Sequence, residues 1–310
     1  MKIVIAGASG LIGSLLTKSL LNSRHSVVVL TRNPQRLTTS PHPLLQVEPW
    51  DGRTAGNWHR HIVDADAVVN LAGESLGTAR WTKSRKRALI SSRVDPTQAI
   101  VDAMKGTTNK PQALLNASAV GYYGRVDDGN VTEDHPSGSD FTSSVCVEWE
   151  QAALAAKSFG VRVVLLRSGI VLDPRGGALQ RMVLPFRLFV GGPLGSGNQW
   201  LPWIHRVDEI RAICFLLENS RVSGPVNLAA PESATMQDFS RALGKSMRRP
   251  SVMRVPAFVL KVVLGEMADI VLTGQRAIPQ ELLQAGFTFL FPGLKGALDE
   301  LLADNSSHGS

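Results

Sequence analysis

Short apolar runs of strand length alternate with amphipathic stretches of helix length along the first half of the chain. Five apolar runs predict buried strands, at residues 3–5, 26–30, 67–71, 113–118 and 161–166. Three stretches between them predict helices, at residues 14–22, 83–105 and 145–158. Strands and helices that alternate at this spacing are typical of βαβ units, so the pattern predicts an α/β fold with a doubly wound parallel sheet and right-handed crossovers.

The pattern changes after Leu172. Residues 173–177 and the glycine-rich stretch 191–197 predict loops, and residues 178–190 between them predict a helix. A helix at 207–218 and a strand at 225–228 that rejoins the sheet follow, and residues 235–302 are mostly helical. We therefore predict three parts, which are a core over residues 1–172 with 206–229 rejoining it, a smaller and mostly helical C-terminal lobe over 173–303, and a disordered polar tail over 304–310.

The first predicted strand leads into a turn with a glycine at every third position, Gly7, Gly10 and Gly13. In a dinucleotide-binding turn the first glycine allows the tight bend, the second lets the backbone approach a pyrophosphate, and the third lets the helix pack against the strand. The phosphates would lie on free N–H groups at the positive end of the helix. The residues of this turn predicted to hold a dinucleotide are Gly7, Ser9, Gly10, Leu11, Ile12 and Gly13.

The end of the second predicted strand indicates which nicotinamide cofactor is bound. An acidic residue there would hydrogen-bond a ribose 2′-hydroxyl, whereas an arginine accommodates a 2′-phosphate. The strand ends with Thr31 and Arg32, and the next acidic residue is Glu48. Because a guanidinium forms strong charge-assisted hydrogen bonds to phosphate, Arg32 with the Thr31 hydroxyl predicts NADP(H).

The composition is that of an ordinary globular protein, with 44% hydrophobic and 19% charged residues. Two cysteines, Cys146 and Cys214, are too few for a disulfide framework and favour a reducing compartment. The apolar runs are too short to span a bilayer, and we expect no signal peptide before the first strand. We expect a cytoplasmic protein, or an organellar one if a transit segment has been removed, with no membrane partner.

The net charge of +7 raises the question of nucleic-acid binding. The densest basic stretch comprises Arg80, Lys83, Arg85, Lys86, Arg87 and Arg93. Only Trp81 lies among these residues, and no nucleic-acid motif accompanies them, so a solvated helix face is the better interpretation. We therefore predict a small-molecule substrate of unknown identity, no nucleic-acid partner and no metal, and leave a homodimer open.

Ordered motifs along nearly the whole chain resemble one known family. They are Gly7–Gly13, Val69-Asn-Leu-Ala-Gly-Glu74, Ser118-Ala-Val-Gly-Tyr-Tyr-Gly124, Cys146-Val-Glu-Trp-Glu150, Arg167-Ser-Gly-Ile-Val-Leu172, Gly191–Gly197, Trp203-Ile-His205, Gln275-Arg-Ala-Ile-Pro279 and Ala285-Gly-Phe287. The chain resembles the atypical extended short-chain dehydrogenase/reductases of the YfcH-like group, which are often labelled epimerase-family proteins. The resemblance implies an NADP(H)-binding Rossmann fold with a substrate-covering C-terminal lobe, but it does not fix the reaction.

The resemblance also implies binding roles for several further residues. Those expected on the adenosine side of the cofactor are Asn70, Leu71, Ala72 and Gly73. Those expected beside the nicotinamide amide are Arg167, Gly169 and Val171. Ser118 falls where extended members keep a serine or threonine that hydrogen-bonds the substrate or the catalytic tyrosine. Tight packing at strand ends is an alternative role for Gly73, Ser118 and Gly169.

Short-chain dehydrogenases usually protonate the substrate through a tyrosine whose pKa is lowered by a lysine four residues later. In the family pattern Cys146 takes the place of that tyrosine and Glu150 the place of the lysine. An ionised Glu150 would raise the pKa of the Cys146 thiol, which leaves a weak proton donor or simply a small buried side chain. Tyr122 or Tyr123, and His205, are the other candidate proton donors, although one of the tyrosines could instead pack and His205 could instead orient a loop.

Two functions from different classes follow. The first is an NADP(H)-dependent oxidoreductase or epimerase that acts on a small carbonyl or sugar-like substrate. The second is an NADP(H)-binding sensor that binds the cofactor without turnover, which the replacement of lysine by Glu150 favours. A division-associated scaffold is suggested only by the label that some relatives carry.

Overall fold

A seven-stranded parallel sheet forms the centre of the computed structural model, which describes residues 1–37 and 41–303. The strands, in chain order, are β1 (Lys2–Ala6), β2 (Ser26–Thr31), β3 (Leu45–Pro49), β4 (Ala67–Asn70), β5 (Ala113–Ala119), β6 (Asn130–Val131), β7 (Arg162–Ser168), β8 (Ile170–Leu172), β9 (Trp200–Leu201), β10 (Trp203–His205), β11 (Gly224–Leu228), β12 (Ala234–Thr235) and β13 (Arg276–Ala277). The sheet order is β11-β7-β5-β4-β1-β2-β3, and the remaining strands form two-stranded pairs. The predicted doubly wound Rossmann sheet is therefore confirmed.

Helices cover both faces of this sheet and build the C-terminal part. They are α1 (Leu11–Asn22), α2 (His59–Val63), α3 (Lys83–Lys105), α4 (Phe141–Leu154), α5 (Gly177–Arg187), α6 (Arg206–Glu218), α7 (Met236–Met247), α8 (Ala257–Leu264), α9 (Asp269–Leu272), α10 (Gln280–Gln284) and α11 (Leu294–Ala303). Alternate strand residues enter two separate cores, since Ile3 and Ile5 pack with α1 and α6 while Val4 packs with α3 and α4. Two buried faces explain why the strands are continuous apolar runs.

Several elements differ from the sequence prediction, among them β3 and α4. The pattern misses β3, an edge strand that is only partly buried and carries Gln46 and Glu48. Helix α4 begins at Phe141, four residues before the predicted start, because the Asp140 carboxylate caps it by accepting a hydrogen bond from the Ser143 amide at 2.8 Å. In contrast, α3 has the predicted bounds, and the strand predicted at 225–228 corresponds to β11, which pairs with β7.

A third hydrophobic core lies in the C-terminal part and holds the smaller lobe together. Buried side chains of α5, α7 and α11 meet around Trp203, with Phe239 and Leu298 fully buried among them. The predicted tail at 304–310 lies outside the described residues. None of the helices within the described ranges is long and apolar enough to cross a membrane.

Candidate nucleotide and substrate site

The predicted cofactor residues meet where the strands β1, β4, β5 and β7 end. Parallel register places Ala6 beside Asn70, Asn70 beside Asn116, and Ser118 beside Arg167. The strand order reverses on either side of β1, since β4 lies on one side and β2 on the other. A crevice outside the carboxyl ends of the strands at such a switch point is where open α/β sheets bind ligands.

The three glycines of the β1–α1 turn have different structural roles. Gly7 has a φ of +82°, and a Cβ there would lie 2.5 Å from the Leu71 carbonyl oxygen. A Cβ on Gly13 would lie 2.6 Å from the Ala8 Cα. Gly10 has an ordinary extended φ of −78°, and a Cβ there would have one close neighbour, the Gly7 carbonyl oxygen at 3.3 Å. Packing therefore requires Gly7 and Gly13 much more strongly than Gly10, whose outer side is open to a ligand.

The first turn of α1 offers amide groups to an anion. The Ser14 amide makes the first hydrogen bond of the helix, to the Gly10 carbonyl at 3.0 Å. The amides of Leu11, Ile12 and Gly13 come before it and have no acceptor within the helix. No acidic side chain lies in this first turn. Gly176 lies over the same turn, where its Cβ would contact the Leu11 side chain at 3.4 Å. A dinucleotide pyrophosphate fits this open, positive helix end.

The end of β2 presents a cation that has no ion-pair partner among the described residues. Thr31 is buried and its hydroxyl accepts a hydrogen bond from the Asn33 amide at 3.2 Å, whereas Arg32 is exposed. Glu48 pairs with Arg60 at 2.9 Å, so this carboxylate of β3 already has a partner. Arg32 therefore remains accessible to an anionic ligand.

The loop after β4 is fixed by a buried amide. Asn70 is fully buried, and its Nδ2 donates to Thr97 Oγ1 at 2.8 Å and to Asn116 Oδ1 at 2.7 Å. Its Oδ1 accepts from the Ala72 amide at 3.1 Å, which holds Leu71 and Ala72 against Gly7. Gly73 lies on the buried Arg93, since a Cβ there would be 3.3 Å from the Arg93 Cγ. Asn70 thus shapes this loop, while Leu71, Ala72 and Gly73 form its surface.

Glu150, at the position expected for the catalytic lysine, belongs to a buried ion pair. Glu150 on α4 and Arg167 on β7 form two parallel bonds of 2.8 Å, and both residues are at most 4% exposed. Ser118 on β5 donates to the same carboxylate at 2.6 Å. Burial alone would lower the pKa of the Arg167 guanidinium, but the Glu150 carboxylate raises it. The fold therefore brings together three predicted site residues, Ser118, Glu150 and Arg167. Glu150 accepts hydrogen bonds from the other two.

Two tyrosines lie against the other side of Arg167. Tyr123 is buried; it accepts from Arg167 Nη1 at 3.0 Å and donates to Asn227 Oδ1 at 2.7 Å. Burial raises its pKa to about 12. Tyr122 is only partly buried, and the Arg167 guanidinium lies 3.5 Å from its ring centroid. Tyr123 is therefore structural, whereas Tyr122 keeps access to a ligand.

Cys146 lies beside this cluster as an un-ionised thiol. Burial raises its pKa to about 12, and the neighbouring Glu150 charge contributes in the same direction. Its Sγ lies 3.8 Å from the Ala119 carbonyl oxygen, to which the thiol donates weakly. A neutral, 5% exposed thiol of this kind is a poor nucleophile.

His205 lies at the junction of β10, α6 and α11. Its Nδ1 accepts from the Val207 amide at 3.1 Å, which caps α6, and its Nε2 lies 2.8 Å from Glu300. The ring also packs on Phe291 with centroids 3.8 Å apart. Burial lowers its pKa. These contacts join the core to the lobe, and none of them reaches Ser118, Glu150 or Arg167.

Gly169 and Val171 continue from β7 along the edge of the crevice. The Gly169 amide donates to the Leu228 carbonyl at 2.9 Å, and a Cβ on Gly169 would lie 2.8 Å from the Pro202 carbonyl oxygen. Val171 belongs to β8 and pairs with Ile204 of β10. Close backbone packing therefore requires Gly169 to be glycine, whether or not a ligand is bound.

Two buried carboxyl groups near the site were missed by sequence reasoning. Glu209 on α6 is 1% exposed and accepts from Ser168 Oγ at 2.7 Å; burial raises its pKa to about 8. Glu133 accepts from the Asn227 amide at 3.0 Å, and burial raises its pKa as well. Each of them lies next to another acidic residue in the sequence, Asp208 or Asp134, and carries no local signal of burial. Within the described part of the chain, no group of His, Cys, Asp and Glu side chains could hold a metal ion.

Comparisons with known proteins agree with this architecture. Residues 3–229 match the NAD dependent epimerase/dehydratase family, and residues 255–301 match a domain of unknown function, DUF1731. An epimerase family protein from Staphylococcus haemolyticus is 41% identical over 302 residues, covering 96% of this chain and 98% of that protein. One from Mycobacterium tuberculosis is 41% identical over 293 residues, covering 93% of each.

Solved structures give the same result. The human epimerase family protein SDR39U1 (isoform 2), determined with NADPH, superposes with a TM-score of 0.85 at 32% identity, covering 98% of this chain and all of that one (100%). A nucleoside-diphosphate sugar epimerase from Corynebacterium glutamicum gives a TM-score of 0.77 at 30% identity, covering 99% of this chain and 60% of that one. The chain therefore belongs to the NAD dependent epimerase/dehydratase family, as an atypical extended short-chain dehydrogenase/reductase.

Proposed function

We propose that this protein binds NADP(H) at the β1–α1 turn and uses it as an oxidoreductase or epimerase on a small carbonyl or sugar-like substrate. The main observation behind this proposal is the geometry of Gly10. Neither packing nor backbone conformation strongly requires a glycine at this position. An open position at the amino end of α1 suits the close approach of a pyrophosphate. The NADPH in the human relative's structure and the NAD dependence in the family's description support a nicotinamide dinucleotide at this turn.

NADP(H) rather than NAD(H) is proposed from the residues that follow β2. Arg32 is exposed, and the nearby Glu48 carboxylate is paired with Arg60 instead of facing a ribose. In this assignment Arg32 and the Thr31 hydroxyl would hold the 2′-phosphate. The loop from Leu71 to Gly73 would border the adenosine side.

Replacing Arg32 with Asp should weaken NADPH binding by about 100-fold while changing NADH binding far less. The variant removes a charge-assisted contact worth about 1.5–3 kcal/mol and adds a repulsive carboxylate. Isothermal titration calorimetry with both cofactors measures the difference. The exposed Arg221→Asp is the control with the same change in net charge. Equal losses for NADPH and NADH in Arg32→Asp would contradict the assignment.

Tyr122 is the proposed proton donor. Bound NADP(H) would supply the hydride, and the protein must supply position and a proton. Among the candidate groups Tyr122 is the only one that is not buried, since the others are at most 6% exposed; these are Ser118, Tyr123, Cys146, Glu150 and His205. The fixed Arg167 cation beside its ring would offset negative charge that develops on the phenol as the proton leaves.

Tyr122→Phe should lower turnover by about 100-fold or more, the usual contribution of a general acid, while leaving the NADPH affinity nearly unchanged. The phenyl ring keeps the contact with Arg167, so the fold should be retained. A screen of carbonyl compounds that follows the loss of NADPH absorbance identifies the substrate, and the rate constant is then compared between proteins. A loss of turnover in Cys146→Ser but not in Tyr122→Phe would show that the Cys146 thiol, and not Tyr122, is the proton donor.

A second candidate function is an NADP(H) sensor without turnover. The observation that favours it is that Glu150 stands in place of the usual lysine. Its carboxylate is bonded to Arg167 and Ser118, so this position supplies no cation to an acid–base pair. Saturable NADPH binding without consumption across a broad carbonyl screen would support the sensor. Consumption with any substrate would support the enzyme.

A further inference from the structure

The lobe contains a long stretch of sequence without acidic residues. From Phe239 to Gly265 there is no Asp or Glu, while the cations are Arg241, Lys245, Arg248, Arg249, Arg254 and Lys261. A helix C-terminus favours one or two nearby cations. This number exceeds what the end of α7 needs, so a further role for the charges is indicated.

Four of these cations line one open cavity at the carboxyl end of α7. The cavity has a volume of about 370 Å³ and is lined by Arg241, Gly244, Lys245, Arg248, Arg249 and Ser251. All four cations are exposed, and none forms an ion pair with a carboxylate among the described residues. The cavity is wide open to solvent, so it offers a shallow binding surface rather than an enclosed pocket.

The wall of the cavity is ordered by specific contacts. Arg248 closes α7 with a φ of +54°, and the Arg249 amide donates to the Gly244 carbonyl at 2.8 Å. The Arg249 guanidinium lies 4.3 Å from the Phe189 ring centroid. A Cβ on Gly244 would lie 3.0 Å from the Ser251 Cβ, so the glycine lets this segment pack closely on the helix. The arginines are therefore held on a fixed backbone.

Ser251 supplies a second, independent observation. Its hydroxyl is shielded from solvent and has no hydrogen-bond partner among the described residues. An unpaired buried hydroxyl is unfavourable, by about 1–3 kcal/mol. Since Ser251 itself lines the cavity, a rotation of its side chain would bring this hydroxyl to a ligand oxygen.

We propose that this cavity binds the phosphate group of a phosphorylated ligand, at a site separate from the dinucleotide turn. Three arginines and a lysine supply charge-assisted donors, and arginine matches the geometry of phosphate oxygens. The proposal does not depend on NADP(H) binding, because it involves none of the residues of the β1–α1 turn. The phosphate can belong to a soluble metabolite or to a lipid headgroup, since Leu188 and Phe189 beside Arg249 are 64% and 57% exposed.

Calorimetric titration with inorganic phosphate, at constant ionic strength, tests the site. The unmodified protein should bind phosphate saturably, and Arg248→Asn/Arg249→Gln should bind it at least tenfold more weakly. Asn tolerates the left-handed conformation of residue 248, and Arg241→Gln/Lys245→Gln is a second variant if the first one unfolds. Lys18→Gln/Arg221→Gln, at exposed positions on other elements, is the charge-matched control and should bind normally.

The variant Gly10→Glu distinguishes this cavity from the dinucleotide turn. It changes only the turn, so the protein should still bind phosphate in the cavity. Binding that is lost in Gly10→Glu but kept in the arginine variants would overturn the proposal, as would no saturable binding by the unmodified protein. Sedimentation with phosphatidylcholine vesicles, with and without phosphatidic acid, then shows whether the bound phosphate belongs to a lipid or to a soluble molecule. Binding only to vesicles with phosphatidic acid indicates a lipid phosphate; phosphate binding without vesicle binding indicates a soluble one.

Discussion

Gly10→Glu is expected to weaken NADPH binding by at least about 100-fold. The new side chain would fill the open position over the first turn of α1 and place a carboxylate where the pyrophosphate should lie. Loss of two charge-assisted contacts of about 1.5 kcal/mol each corresponds to about 100-fold in the dissociation constant, and charge repulsion adds to it. Calorimetric titration of the purified variant with NADPH measures this effect.

Gly10→Ala is the matched control, because it adds a side chain at the same position without adding a charge. Its Cβ would meet the Gly7 carbonyl oxygen at 3.3 Å, so we expect a small loss of stability and a weaker effect on NADPH than the glutamate has. Thermal unfolding of both variants shows whether the fold is retained. An NADPH affinity in Gly10→Glu equal to that of the unmodified protein would mean that the turn does not hold the cofactor.

Glu150→Ala is expected to lower the free energy of unfolding by about 3 kcal/mol, near the lower end of the range for breaking a buried ion pair. The substitution leaves Arg167 charged at 3% exposure and removes the acceptor of the Ser118 hydroxyl. Two neutral acceptors remain for the guanidinium, the Tyr123 hydroxyl and the Glu133 carbonyl, which places the value at the lower end. Denaturation in urea, followed by fluorescence, measures the change.

Glu148→Ala on the same helix is the control, because Glu148 is exposed and should change the stability by less than about 0.5 kcal/mol. In Glu150→Met/Arg167→Met both charges are removed, and we expect part of the lost stability to return, because no buried charge is left unpaired. A loss below about 1 kcal/mol in Glu150→Ala would show that Arg167 does not depend on Glu150.

The parts of the fold that follow from local patterning could be predicted from the sequence. Strands buried on both faces, such as β1 and β2, are continuous apolar runs, and the turn between β1 and α1 needs glycine where φ is positive or where backbones approach closely. The edge strand β3 could not be predicted, because it is half buried and carries polar side chains. Its position depends on pairing with β2, which no local pattern specifies.

The chemistry of the site was only partly predictable. The sequence indicated that Glu150 replaces a lysine and that the pKa of Cys146 is raised, and burial proves to be the larger cause of that shift. The pairing of Glu150 with Arg167 could not be predicted, because it joins a helix and a strand that meet only in the folded protein. His205 carried no signal to distinguish a catalytic group from its position as the cap of α6.

The cofactor assignment, on which the proposed function depends, is tested most directly by titrating the unmodified protein with NADPH and NADH in parallel. The open Gly10 position and the exposed Arg32 predict saturable binding of one NADPH per chain, with an affinity at least about tenfold above that for NADH, since one charge-assisted contact is worth more than 1.4 kcal/mol. Binding of NADH alone would contradict the role of Arg32. Binding of neither would contradict the assignment of the β1–α1 turn as a cofactor site.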